Sequence, residues 1–469
     1  MRSQSAISAA VSTITRTVTV AAGVFGPGHL GELTRVVPFE MVDAVIDRHR
    51  VGQRRVRLLP TRVGVYFLLA LGLFPQASYR GVWAKLTAGI GDHPSPCGKA
   101  LRDLRRRVGV GPVRDLFTLL AGPVASPRTP GVRFGPYRTV SFDGCRSIKV
   151  PDTPANSAWL GKLNAAFGRT GYPVIQLMTL VETGTRALIG AAFGTPAEGE
   201  ITWARRLLNH LDASMLVLMD RGFDGADFLA AVAATKAQLL VRVKNGRRLP
   251  VIGRLPDGSI LTIIGRTRLR VITAHVALTC QDGTTYGDDY RLATTLTDSH
   301  AYPAEEIIRL YHQRWEHEIT YLALRHTLLT GRVLRSGDPA GLQQELWALL
   351  SVYQALRIAV TDAISTTPGI DPDQASWQVA VDTAQDLVTG ARNITDQTGD
   401  LTGDIGRAVL TNLIKPRRPR VCPRRVKSPL SRWNKHPPNR PHTANRIAKI
   451  TITANPTHQP NTLTTTADP

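Results

Sequence analysis

Four side chains recur at spacings of three, four and seven residues in one stretch of the sequence: Tyr311, Arg314, Glu318 and Arg325. The stretch follows Pro303 and reads as a helix through about Thr330. At ~100° per residue the four fall within an arc of about 60°. One face then carries a carboxylate flanked by two guanidinium groups and a phenol, while Leu310, Leu324 and Leu328 fall elsewhere and are expected to pack. Alone, such a face also describes a plain surface ion pair. Two aspartates sharpen the reading. Asp143 ends the β-like run Arg138–Phe142, and Asp220 ends the apolar run Met215–Met219. Carboxylates at strand ends sit where open α/β sheets hold ligands, although a single one is often a turn or cap residue. Three carboxylates brought together repel unless a proton or a cation intervenes. All-oxygen ligands suit Mg²⁺ or Mn²⁺ and not zinc. Two such ions can activate water or a 3′-hydroxyl and stabilise the leaving oxygen of a phosphodiester. Arg314 and Arg325, with Tyr311, would then position non-bridging phosphate oxygens.

The charge of the chain points the same way. It has 469 residues, with 58 Lys and Arg against 36 Asp and Glu, a net charge of +22 and a pI near 10.5. A chain that basic is expected to meet a polyanion, either nucleic acid or an anionic membrane face. A hydrophobic fraction of 43% and a charged fraction of 20% exclude a wholly disordered or fibrous chain. Cys97, Cys145, Cys280 and Cys422 form no CxxC pair, which excludes a zinc ribbon and fits a reducing cytosol. The longest apolar run, Val63 to Phe74, is about half of the ~20 residues a membrane span needs and reads as a buried core helix. Arg16 interrupts a stretch that otherwise faintly resembles a signal peptide. No membrane contact and no small-molecule cofactor are expected, and the location is cytoplasmic, nucleoid-associated when DNA is bound.

The elements that must position these residues are legible in outline. Residues 1–29 read as a disordered extension and 30–120 as a helical, DNA-binding domain. That domain carries a basic stretch with Arg54, Arg55 and Arg57, and a second basic patch at 102–107, RDLRRR. Basic helices of this kind suit phosphates, and equally a solvated helix face. Residues 121–136 are a Pro- and Gly-rich linker. Strand and helix then alternate over 137–360, with a β-rich insertion at about 239–297 marked by LLVRV, ILTIIG, RLRVITAHVALT and YRLATTL. Residues 361–414 read as helical. Residues 415–469 form a basic, largely disordered tail that includes Arg424, Arg425 and Lys427, a candidate arm for DNA phosphates, with solubilisation as the alternative.

With these residues in place, the chain resembles the DDE transposases of the insertion element four family, in its actinobacterial branch. Tyr311-x2-Arg314-x3-Glu318-x6-Arg325 is similar to the family signature Y-(2)-R-(3)-E-(6)-K, with Arg325 keeping the charge of the last position. LVLMDRGFDG (216–225) looks like the second-aspartate motif and SFDGCRSIKVPDTPAN (141–156) like the first, where Cys145 replaces the usual Thr. Residues 33–87 and 421–436 resemble the family's N-terminal domain and its C-terminal basic motif, so the likeness covers about 30–436.

The resemblance implies an α/β fold with a ribonuclease-H-like catalytic core and a β-rich insertion between Asp220 and Glu318, preceded by an all-helical domain. It implies that Asp143, Asp220 and Glu318 bind two Mg²⁺ or Mn²⁺ ions. It also implies binding of double-stranded DNA at terminal inverted repeats and at the target, cut-and-paste strand transfer, and a homodimer in the synaptic complex. Trp315 and Phe223 are aromatic candidates for stacking on a flipped base, with packing as the alternative for each. Two other readings of the chain stay open: a catalytically decayed, end-binding repressor, and a metal-dependent nuclease that cuts without joining.

Overall fold

The computed structural model describes residues 28–52, 59–90, 95–162, 164–165, 168–169, 171–280, 283, 285–394, 400–416 and 447–455. The residues group into two compact units. One holds Met1–Arg133, Thr139–His210 and Glu316–Arg417; the other holds Phe134–Arg138, Leu211–Trp315 and Arg418–Pro469. Most of the expected 1–29 extension, all of Arg54, Arg55 and Arg57, and all of Arg424, Arg425 and Lys427 lie outside the described residues.

The described chain opens with helices α1 (Phe39–Arg48), α2 (Thr61–Leu73), α3 (Tyr79–Thr87), α4 (Gly98–Val108) and α5 (Gly111–Leu120). After 121–132, which form no regular element, come β1 (Arg133–Phe134), β2 (Tyr137–Lys149), α6 (Pro154–Leu160), β3 (Asn164–Ala165), β4 (Gly168–Arg169), β5 (Val174–Glu182), β6 (Leu188–Gly194) and α7 (Glu200–Arg205). Then follow β7 (Met215–Met219), α8 (Ala226–Ala234), β8 (Gln238–Arg242), β9 (Gly253–Arg254), β10 (Ile260–Ile264), β11 (Thr267–Cys280), β12 (Thr285–Thr294), α9 (Ala304–Tyr311) and α10 (Trp315–Leu322). The last elements are α11 (Pro339–Ser365), α12 (Trp377–Thr389), α13 (Gly403–Thr411) and β13 (Ile447–Ala454).

In the first unit the helices share one core with an antiparallel sheet in which β5 lies between β2 and β6. Every residue of α2 except Arg62 is buried, so the Val63–Phe74 run is a core helix as its length predicts. Its partner is α11, whose start is fixed by the Asp338 side chain accepting from the Gly341 amide (2.9 Å) and by Pro339 in the first turn. At Gly72 the two backbones approach so closely that a Cβ would lie 3.2 Å from the Leu349 Cα. The α2–α11 contact therefore depends on that glycine.

The second unit is built on strands. β7, five buried residues in a row, runs parallel to β8; β8 then pairs antiparallel with β12, β12 with β11, β11 with β10 and β10 with β9. A helix, α9, buries Ile307, Ile308 and Leu310 against Leu216, Leu218, Ile272 and Leu292.

Two expectations are corrected by these strands. Asp143 does not end a strand: β2 continues through it to Lys149. The β2–β5 register shifts between Cys145 and Ile148, so a bulge, not a strand end, re-aims the chain just after Asp143. The C-terminal stretch is not wholly irregular either. β13 pairs antiparallel with β11 from Ala274↔Ala454 onward, occupying the edge that β10 leaves open, and Ile450, Ile452 and Ala454 pack on the core. The alternation of Ile450, Ile452 and Ala454 with polar neighbours is what a half-buried strand requires.

Candidate functional site

The signature stretch is helical but not one regular helix. After α9 a 3₁₀ turn spans His312–Arg314, α10 follows, and Ala323–Leu328 forms a π-helical segment. A 3₁₀ turn advances more per residue than an α-turn and a π-segment less. The 60° arc of an ideal helix therefore does not describe the face that Tyr311, Arg314, Glu318 and Arg325 present. Leu310, Leu324 and Leu328 are buried, as their positions predict.

The boundary between the units falls between Trp315 and Glu316. Tyr311 and Arg314 thus belong with Asp220 in the second unit, and Glu318 and Arg325 with Asp143 in the first.

In the second unit the parallel register pairs Met219 with Val241, so the next residues along the two strands are Asp220 and Arg242. The Asp220 carboxylate accepts from the Gly222 amide (2.7 Å), which caps a short 3₁₀ turn. Asp220, Arg242, Tyr290, Tyr311, His312 and Arg314 are among the residues lining one small cavity of about 20 Å³, room for a single water. The Arg242 guanidinium lies 4.2 Å from the centre of the Tyr290 ring. Burial pushes the Tyr311 hydroxyl up; the Arg314 and Arg242 charges and a hydrogen bond to Arg314 oppose the rise, and Asp220 adds to it. Burial, with help from Arg314 and Arg242, lowers His312 to about 4, so it is neutral at pH 7. Its buried Nε2 has no hydrogen-bond partner among the described residues. Trp315 is exposed, but Phe223 is 1% exposed and packs against Phe228 at 5.5 Å between ring centres. Phe223 is therefore a core residue and is not available to stack on a base.

In the first unit a chain of buried hydrogen bonds joins the strand of Asp143 to the helix of Glu318. The His317 ring bridges Ser141 Oγ (2.8 Å to Nδ1) and Thr179 Oγ1 (2.6 Å to Nε2). Thr179 Oγ1 lies 2.9 Å from the Tyr321 hydroxyl, which donates to the Asp143 carbonyl at 2.6 Å. Burial raises the Tyr321 hydroxyl well above its usual range, and the charges of Asp143, Cys145 and Glu318 raise it further. Both candidate carboxylates of this unit therefore act on one phenol. Burial likewise pushes the Cys145 thiol up, while a contact with Ser147 Oγ (2.9 Å) and the Arg325 charge pull it down. Just before Glu318, Glu316 is held by Arg186 (2.5 Å), which also hydrogen-bonds Asp373; all three are buried.

Sequence reasoning missed His317, Tyr321, Thr179 and Ser141 in the first unit and Arg242, Tyr290 and His312 in the second. Tyr321 was detectable as the residue one helical turn beyond Glu318. Arg242 was detectable as a cation ending the strand after Asp220's own. Ser141 and Thr179 carry no signal that separates them from any polar strand residue.

Comparison with known proteins now decides the family. Residues 27–118 match the family described as insertion element 4 transposase, N-terminal, and residues 136–354, which contain Asp143, Asp220, Glu318 and the whole signature, match the transposase DDE domain. The chain belongs to the insertion element 4 family of DDE transposases. The Escherichia coli (strain K12) transposase InsG of insertion sequence element IS4 is 26% identical over 347 residues, 72% of this chain and 78% of that one. A putative transposase of the same organism, InsZ, is 27% identical over 131 residues, 28% of this chain and 44% of its own. A solved piggyBac transposase synaptic complex with hairpin DNA overlaps 84% of this chain at a TM-score of 0.39 and 12% identity.

The match to the DDE domain and the mixed α/β architecture fit a ribonuclease-H-like core, with a helical region before it and further helices after it. DDE domains in general use divalent metal ions. Among the described residues, no three His, Cys, Asp or Glu side chains cluster in a way that could hold a metal ion. The candidate donors Asp143, Asp220 and Glu318 are nonetheless all carboxylates and all half-buried, and oxygen-only donors of that kind suit Mg²⁺ or Mn²⁺. No helix among the described residues is long and apolar enough to cross a membrane.

Proposed function

We propose that this transposase binds the terminal inverted repeats of its own element and moves it by cut and paste, through metal-dependent strand cleavage followed by strand transfer. In this reading Asp143, Asp220 and Glu318 would hold two Mg²⁺ or Mn²⁺ ions, whose chemistry when bound would be activation of a water or 3′-hydroxyl and stabilisation of the leaving oxygen. Tyr311, Arg314 and Arg325 position phosphates, and Arg54, Arg55, Arg57, Arg424, Arg425 and Lys427 contact the DNA backbone. A homodimer pairs the two element ends, and the protein works in the cytoplasm on the nucleoid.

The observation that carries the reading is the Tyr321 link between Asp143 and the helix of Glu318. A strand and a helix are tied by buried groups close to the two points where a metal-binding reading needs carboxylates. The tie fixes the backbone of Asp143, whose carboxylate accepts from the Gly144 amide (2.8 Å).

The test needs the DNA flanking the coding region, searched for short inverted repeats bounded by direct duplications. Purified protein, Mg²⁺ and a labelled end fragment should give cleavage at the repeat boundary and joined product. Glu318→Gln should abolish both by ~10³-fold or more, because several kcal/mol of transition-state stabilisation are lost, while end binding persists. Binding without cleavage in either Mg²⁺ or Mn²⁺ would favour the repressor. Cut ends that never join would favour a nuclease.

A further inference from the structure

The 102–107 patch, RDLRRR, is one of the motifs that the catalytic reading does not use, and the structure divides it. Arg105 is a buried structural residue. Its guanidinium donates to Ser336 Oγ (2.9 Å) and the Gly341 carbonyl (2.9 Å), hydrogen-bonds the Tyr79 hydroxyl, and lies 3.5 Å from Glu345. Arg107 donates to the Leu59 carbonyl (2.7 Å). Arg102 and Arg106 remain exposed, on the same face of α4 four residues apart.

That face forms one wall of a cleft of about 1290 Å³ within the first unit. The segment after the π-helical turn lines the same cleft, and its Arg332 is also exposed. The back is the Arg105–Glu345–Arg335 network, in which Arg335 lies 3.6 Å from the same carboxylate. Five arginines line the cleft against two acids, Asp338 and Glu345. Glu345 is occupied by both arginines of the back wall, so it cannot neutralise the rim. Arg102 and Arg332 form no ion pair with any described residue, and Arg106 has only Asp103 at 3.8 Å on its own helix. Neither Asp143 nor Glu318 lines the cleft.

We infer that this cleft, rimmed by Arg102, Arg106 and Arg332, is a seat for the phosphodiester backbone of duplex DNA, separate from the catalytic carboxylates. Three exposed guanidiniums lining one cleft match the chemistry of successive phosphates, which arginine binds in forked geometry. An acidic protein surface is the competing occupant. Duplex DNA is favoured because the whole chain carries +22 and because Arg332 follows the signature of a transposase by only seven residues after Arg325. The inference rests on the function proposed above and adds a surface to it.

The experiment measures affinity of the full-length chain for a fluorescent random-sequence duplex across a salt series. The triple variant Arg102→Gln/Arg106→Gln/Arg332→Gln is compared with wild type and with Arg128→Gln, an exposed arginine outside the cleft. Each phosphate contact contributes about 0.9 to the slope of log K against log salt. The triple variant should lose about 2.7 of slope and bind at least tenfold more weakly at low salt, while Arg128→Gln keeps the wild-type slope. An unchanged slope in the triple variant, with wild type binding DNA, overturns the cleft and leaves the transposase reading intact. Absence of DNA binding by wild type overturns the function itself. Should the triple variant fail to fold, the three single variants carry the test, each expected to lose about 0.9 of slope. Wild-type DNA affinity and slope in the triple variant, together with lost capture of an acidic peptide, would assign the cleft to an acidic protein instead.

Discussion

The phenol of Tyr321 donates a 2.6 Å hydrogen bond to the backbone carbonyl of Asp143. Tyr321 lies one helical turn after Glu318, so this bond sets the spacing between a strand that carries one candidate metal ligand and a helix that carries another. Tyr321→Phe removes only the hydroxyl and keeps the ring. It strips a partner from the Asp143 carbonyl and from Thr179, at a cost of about 1–3 kcal/mol, the usual penalty for a buried group left unsatisfied. The expected outcome is a folded protein with a lower urea midpoint and metal-dependent end cleavage slowed about tenfold. Its DNA affinity should be unchanged. Wild-type cleavage by a folded Tyr321→Phe protein would show that the bond only stabilises the fold.

The signature helix has a second anchor. Arg186 sits between Glu316 and Asp373, and its side chain is 6% exposed against 7% and 1% for the two acids. Arg186→Met leaves both carboxylates buried without their cation, which costs about 3–5 kcal/mol. Denaturant unfolding should show that loss. The double variant Arg186→Met/Glu316→Gln should recover part of it, because one of the stranded charges is then gone. Equal midpoints for the single and double variants would mean that the acids find other partners.

Much of this architecture could be read beforehand, for identifiable reasons. Met215–Met219 is a run of five apolar residues, and only a strand covered on both faces tolerates that. The alternation in 260–264 and 267–280 marks a sheet because period-two patterns have no other stable home. The position of Asp143 was not readable, since the bulge that follows it depends on pairing with β5, a partner about thirty residues away. The 3₁₀ and π interruptions of the signature helix were equally hidden. Nothing in the residue types of 312–314 or 323–328 opposes an α-helix, so tertiary packing sets the local pitch. The division of RDLRRR into buried and exposed arginines required Glu345, Ser336 and Gly341, which lie more than 200 residues away.

Asp362 gives the chain a pH dependence apart from the candidate site. Burial raises its carboxyl from 3.8 to about 6, and the nearby Arg35 charge only partly offsets this. A carboxyl raised on folding is protonated in the native state while still ionised in the unfolded chain. Its contribution to stability is therefore full below pH 3.8 and is lost as the pH rises through 6. A shift of that size corresponds to at most about 3 kcal/mol, and residual solvent contact trims it to roughly 1–2. Asp362→Asn should raise the urea midpoint relative to wild type at pH 8 and leave it nearly unchanged at pH 4. A gain of the same size at both pH values would assign the effect to packing.

β13 makes the last prediction. From Ala274 to Cys280 it is the only described strand on that edge of β11, because β10 pairs no further than Val271. Asn455 closes the junction: its amide donates to the Thr273 carbonyl (2.6 Å), and its side chain accepts from the Thr273 amide (3.0 Å) and donates to the Asp257 carbonyl (2.9 Å). A chain ending at residue 446 would expose seven residues of unpaired backbone together with the apolar surface that Ile450 and Ile452 cover. Such an edge recruits strands from other molecules. The truncated protein should elute from size exclusion in higher, concentration-dependent species, whereas Thr451→Lys in the full chain, which adds a charge and keeps the backbone pairing, should elute as wild type does. Unaltered elution of the truncated chain at all concentrations would mean that another segment protects the edge of β11.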